Sequence, residues 1–122
     1  MRSARIFWLL IGWLFVGLVI FISLTPSPPK VIPFPLQDKV LHFSNYLFIM
    51  FWFAVGCTTK KMKTWFLIGF ILMGISLEFL QGLVPTRTFD FHDMLANTAG
   101  VLAGFVLAAT RFGNFFQTSL QK

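Results

Sequence analysis

A chain of 122 residues has room for one domain, and a content of 57% hydrophobic against 11% charged residues excludes an ordinary soluble fold. Seventeen phenylalanines suit a lipid-facing surface, because no soluble core of this size could hide them all. The net charge of +6 would suggest nucleic acid in a soluble protein, but here the basic residues follow membrane orientation, so the expected partner is the lipid bilayer and not nucleic acid.

The expected class is all-α and integral to the membrane: one domain over residues 1–122, folded as a bundle of four transmembrane helices at about 6–24, 40–59, 65–84 and 94–110. Ile6 to Leu24 is long enough to cross a hydrocarbon layer of about 30 Å at about 1.5 Å per residue. It exceeds the apolar core of a secretion signal, and no small-x-small cleavage pattern follows, so a retained helix is expected. Trp8 sits near its entry end beside Arg2 and Arg5, and Gly12 and Gly17 permit close helix contact.

Thr25 to Gln37 contains Pro26, Pro28, Pro29, Pro33 and Pro35, a density that no helix survives; an extended connection lying on the membrane surface is expected. Asp38 then stands where a helix N-cap belongs. Asp38, His42 and Asn45 fall on one face of the second span. The single cysteine, Cys57, can form no internal disulfide and reads as a buried, inert thiol. The basic turn TTKKMKT precedes the third span, which carries Glu78 and Gln81 on one side near its far end.

Pro85 and Arg87 mark the next connection. Asp90, Asp93 and Asn97 share one face as the fourth span begins, and either aspartate could cap it. Ala96, Gly100, Gly104 and Ala108 recur at every fourth position, a stripe for close helix packing. With the N-terminus inside, Arg2, Arg5, Lys60, Lys61, Lys63, Arg111 and Lys122 lie on the cytoplasmic side and only Lys30, Lys39 and Arg87 on the other. The positive-inside rule therefore favours N-in and C-in in the plasma or inner membrane, with the polar connections facing outward.

All four acids, Asp38, Glu78, Asp90 and Asp93, belong to this outward polar set, with Lys39 and Arg87 as the nearby cations. The surplus negative charge near lipid calls for a protonated carboxyl, a bound cation or partial solvation. Glu78, His42, Asp93 and Asp90 are the candidate acid and base residues, and Lys39, Arg87, Asp38, Gln81 and Asn97 the candidate substrate-binding ones. Aspartate and histidine could hold a divalent metal, but the spacing matches no standard zinc signature, so no metal ligands are assigned and no cofactor is named. The alternative is a non-catalytic polar network that only holds helices together or binds a small ligand.

The spaced pattern DK-x-x-H, E-x-x-Q, P-x-R and D-x-x-D-x-x-x-N-x-x-G is met by Asp38, Lys39, His42, Glu78, Gln81, Pro85, Arg87, Asp90, Asp93, Asn97 and Gly100. On these residues the chain resembles the VanZ-like family over roughly 38–108. That family comprises small multi-helix bacterial membrane proteins whose namesake is associated with low-level teicoplanin resistance. The resemblance implies a role in the cell envelope, acting on or binding a lipid-linked envelope molecule or a lipophilic glycopeptide.

Overall fold

A computed structural model describes residues 2–26 and 37–121. They form five helices and, among the described residues, no strand: α1 (Arg2–Leu24), α2 (Gln37–Gly56), α3 (Lys60–Gln81), α4 (Phe91–Ala108) and α5 (Arg111–Gln121). Helices stand where the apolar spans are expected, but their starts are set by polar caps and not by the first apolar residue. Thr59 accepts a hydrogen bond from the backbone N–H of Met62 at 3.1 Å, so α3 begins at Lys60, five residues before Trp65. Asp90 accepts from the N–H of His92 at 2.9 Å and starts α4 at Phe91; of the two aspartates, Asp90 is the cap. α2 opens at Gln37, which puts Asp38 in the first helical turn and not at the N-cap. The side chain of Asp38 and the proline-rich stretch 27–36 lie outside the described residues.

Three helices, α1, α3 and α4, are long and apolar enough to cross a membrane. α2 has similar length, but Lys39, His42, Ser44 and Asn45 interrupt the apolar character of its first half. It is nevertheless the centre of the fold, packing against every other helix and most extensively against α4. Tyr46, Ile49, Met50, Phe53 and Ala54 recur at helical spacing and are at most 2% exposed. Large apolar side chains on the outer faces, such as Leu14, Phe21 and Leu72, are exposed, as lipid-facing groups should be.

The small-residue stripe of α4 lies directly on α2. A Cβ at Gly100 would strike the backbone carbonyl of Phe43, and one at Gly104 the carbonyl of Leu47. Only glycine lets the two backbones approach this closely, and that approach brings the polar first turns of both helices together. A Cβ at Gly12 of α1 would meet not backbone but the rings of Phe53 and Trp52, whereas Gly17 faces open space.

α5 is an element that the apolar pattern of the fourth span does not announce. Phe112, Phe115, Phe116 and Leu120 follow a helical spacing, a signal present in the sequence but too short and polar to read as a span. Phe112 and Phe116 pack on Phe51, and Gln117 donates from Nε2 to the carbonyl of Cys57 at 3.0 Å. The helix thus folds back over the ends of α1 and α2, away from the polar turns.

Candidate functional site

At the other end of the bundle, the first turns of α2 and α4 meet the last turn of α3. The Lys39 ammonium lies 2.7 Å from Asp90 Oδ2 and 3.1 Å from Asp93 Oδ1. This pairing holds the Asp90 carboxyl at about 2, well below its usual range, and the hydrogen bond from His92 N–H acts in the same direction. Asp93 is almost buried. Its Oδ1 touches Lys39 as an ion pair but accepts no hydrogen bond.

His42 joins this pair from α2. Its Nδ1 lies 2.9 Å from Asn97 Oδ1 and its Nε2 lies 3.6 Å from Asp93 Oδ2. The Asn97 amide donates from Nδ2 to the carbonyl of Gly74 at 3.3 Å, which turns its oxygen toward the histidine. Gly74 is a site residue that sequence reading missed. It lies one turn before Glu78 on the same face, and a Cβ there would press on Asn97 and Tyr46.

Glu78 forms the floor, with only 1% of its surface exposed, and its Oε1 accepts the backbone N–H of Asp90 at 2.9 Å. Because α3 ends at Gln81 and not at Val84, Glu78 falls in the last helical turn, closer to the helix end than the expected span would place it. One donor atom each from His42, Glu78 and Asp93 lie within 4.8 Å of one another. Exposure rises from this floor through His42 to a mouth formed by Lys39 and Asp90, whose side chains are 36% and 33% exposed.

The fold therefore brings together Lys39, His42, Glu78, Asp90, Asp93 and Asn97. Gln81 and Arg87 point elsewhere. Gln81 donates to the carbonyl of Ser23 at 3.1 Å, and Arg87 donates from Nη1 to the carbonyl of Thr25 at 2.8 Å, so both satisfy the open C-terminal carbonyls of α1. Thr86, with a left-handed φ of 68°, donates its hydroxyl to the carbonyl of Pro26 and completes the same seam. His92 turns outward, with its side chain 78% exposed.

The uncharacterized protein C11E3.10 of Schizosaccharomyces pombe is 27% identical over 97 residues, covering 77% of this chain and 59% of its own length. The chain thus spans well under two thirds of that relative. No solved structure matches it. The family model described as VanZ/LLP1 matches residues 6–113, nearly the whole chain and all of the polar cluster, and the protein belongs to that family.

Proposed function

We propose that this VanZ-family membrane protein acts on a lipid-linked molecule with an anionic head, using the buried carboxylates of the polar cluster as acid and base. Glu78, His42, Asp93 and Asp90 are the acid and base candidates, and Lys39 at the mouth meets the head first. The carrying observation is the combination of an acid 1% exposed with Lys39 and Asp90 about a third exposed, and with exposed phenylalanines next in sequence to the cluster residues, Phe43 beside His42, Phe79 beside Glu78, and Phe89 and Phe91 on either side of Asp90. Such a setting suits a molecule whose tail stays in lipid while its head enters the polar floor. A relative in a fission yeast, itself uncharacterized, weighs against a role confined to glycopeptides such as teicoplanin.

In this reading α2 crosses the membrane with α1, α3 and α4, giving four spans with both termini inside and the site at the outer face of the plasma membrane. The excess of lysine and arginine at the α5 end supports that orientation. An impermeant thiol reagent should label a cysteine placed at Ser27 and spare one at Thr59, in a background lacking Cys57. Arg87, Gln81 and Asn97 then serve mainly as positioning groups through the carbonyls of Thr25, Ser23 and Gly74.

Glu78→Gln tests the reading, because the amide oxygen still accepts the N–H of Asp90 while the exchangeable proton is lost. The variant should reach normal abundance and lose the cellular trait the protein confers, measured as glycopeptide susceptibility or another envelope phenotype. Full function at normal abundance would leave only a structural network.

A further inference from the structure

The hydrogen-bond network assigns a proton to one nitrogen of His42. Because Asn97 Nδ2 donates to the Gly74 carbonyl at 3.3 Å, Asn97 Oδ1 must accept from His42 Nδ1 at 2.9 Å; turning the amide over would set two oxygens against each other. A neutral imidazole then has a bare Nε2, and this lone pair faces Asp93 Oδ2 at 3.6 Å. Two acceptors confronting each other in an almost closed space repel unless a cation lies between them. An imidazole nitrogen fixed by an amide oxygen on its far side is the usual outer support of a metal-binding histidine.

Charge points the same way. Fully ionised, Glu78, Asp90 and Asp93 would carry three negative charges, and among the described residues Lys39, paired with Asp90 and Asp93, is the one permanently cationic side chain beside them. With both histidines neutral this would leave a surplus of two, and because Asp93 Oδ1 has the Lys39 ammonium at 3.1 Å, it is Oδ2 that faces His42 and is left for the ion. We infer that His42, Glu78 and Asp93 bind a divalent first-row transition ion such as Mn²⁺ or Zn²⁺. One imidazole with two carboxylates suits these ions better than Ca²⁺, which takes oxygen ligands alone. Ligand distances of about 2.0–2.2 Å put donors about 3–3.6 Å apart in a tetrahedral or octahedral shell, so the three atoms, now within 4.8 Å of one another, draw in by about an ångström on binding. Three protein ligands leave positions open toward the mouth, where the ion can hold the anionic head, and with those three side chains bound Asp90 is the acid or base candidate left free of the ion; that role rests on the function proposed above, but the binding of the ion does not.

The test uses the full chain in detergent, stripped with chelator and titrated with Mn²⁺ under electron paramagnetic resonance. One ion per chain should bind, with a nitrogen coupling that changes on ¹⁵N-histidine labelling, and Zn²⁺ should displace it. Glu78→Gln and Asp93→Asn should each weaken binding at least tenfold, and Asn97→Ala about tenfold to a hundredfold through the histidine it orients. His42→Gln should remove the nitrogen coupling, and His92→Ala should leave both affinity and coupling unchanged. Thermal unfolding of the stripped proteins confirms that each variant is folded. Absence of saturable binding, or equal affinity in Glu78→Gln, Asp93→Asn and His42→Gln, overturns the ion site, as does ¹⁵N resonance showing both ring nitrogens of His42 protonated at neutral pH in the stripped protein. If no ion binds yet Glu78→Gln still abolishes the trait, the metal is refuted and the acid and base reading survives. An ion that binds to a wild type whose trait is unaffected by Glu78→Gln refutes that reading instead.

Discussion

The two ends of the bundle hold the same helices together with different chemistry. At the α5 end, Trp8 and Trp52 stack with ring centroids 3.6 Å apart and planes 5° from parallel. Each indole N–H donates to the other residue's carbonyl, at 2.8 and 2.7 Å. Every polar atom of that contact is used, the surroundings are Phe48 and Phe116, and no charge is involved. At the opposite end, two carboxylates share one ammonium, a third, almost fully buried, accepts a single backbone N–H, and a histidine nitrogen faces an acid. The aromatic end is a sufficient way to join α1 to α2. A purely structural polar end would be expected to satisfy its groups as completely, since unpaired charge near lipid is costly. On the function proposed above, the contrast leaves holding to one end and chemistry to the other.

Exchanging single groups at either end should separate the two. The largest effect expected is on activity: Glu78→Gln should lower it about a hundredfold or more, the usual contribution of a positioned acid or base, while thermal stability in detergent shifts by no more than about 1 kcal/mol. A large stability loss with activity preserved would erase the distinction between the ends.

Next in size is the seam that joins them. Gly104→Leu drives a side chain into the backbone carbonyl of Leu47, and overpacking of this kind costs about 1–3 kcal/mol. Folded yield should fall and both ends should loosen together, visible as an earlier unfolding midpoint and brighter exposure of Trp52. Gly17→Leu, at a position facing open space, is the control and should change neither.

Trp52→Phe keeps most of the ring contact but removes one indole donor and leaves the Trp8 carbonyl without it. A loss of about 1 kcal/mol is expected, with ion affinity and activity at the polar end unchanged. A fall in activity beyond what reduced abundance explains would show that the ends are coupled.

The smallest effect is on acid stability. The carboxyl of Asp90 falls from an ordinary 3.8 to about 2 in the folded protein, chiefly through Lys39. A lowered folded value means that the stabilisation is fully present above the ordinary value and is lost as pH falls toward about 2. In Lys39→Met, carboxyl NMR should show Asp90 titrating closer to its ordinary value, and the acid-stability difference between variant and wild type should close below pH 2. Because a third of the Asp90 side chain is exposed, solvent screens the pair and the change in stability should be small.

The sequence by itself determined that the chain is helical and membrane-like, because runs of apolar residues of spanning length have few other stable outcomes. It also determined the family, since the spaced polar pattern from Asp38 to Gly100 survives without any knowledge of packing. Helix periodicity put Asp90, Asp93 and Asn97 on one face and Glu78 with Gln81 on another. Periodicity ends at the surface of its own helix, however, and could not show that the two residues of the second pair part company. Glu78 turns to the start of α4 while Gln81 reaches α1, and Arg87 follows Gln81 and not the carboxylates. The three possible metal donors come from α2, α3 and α4, so no linear spacing could have announced them. What decided their meeting was the close approach of α2 and α4 across Gly100 and Gly104, a contact between backbones that exists only once the chain is folded.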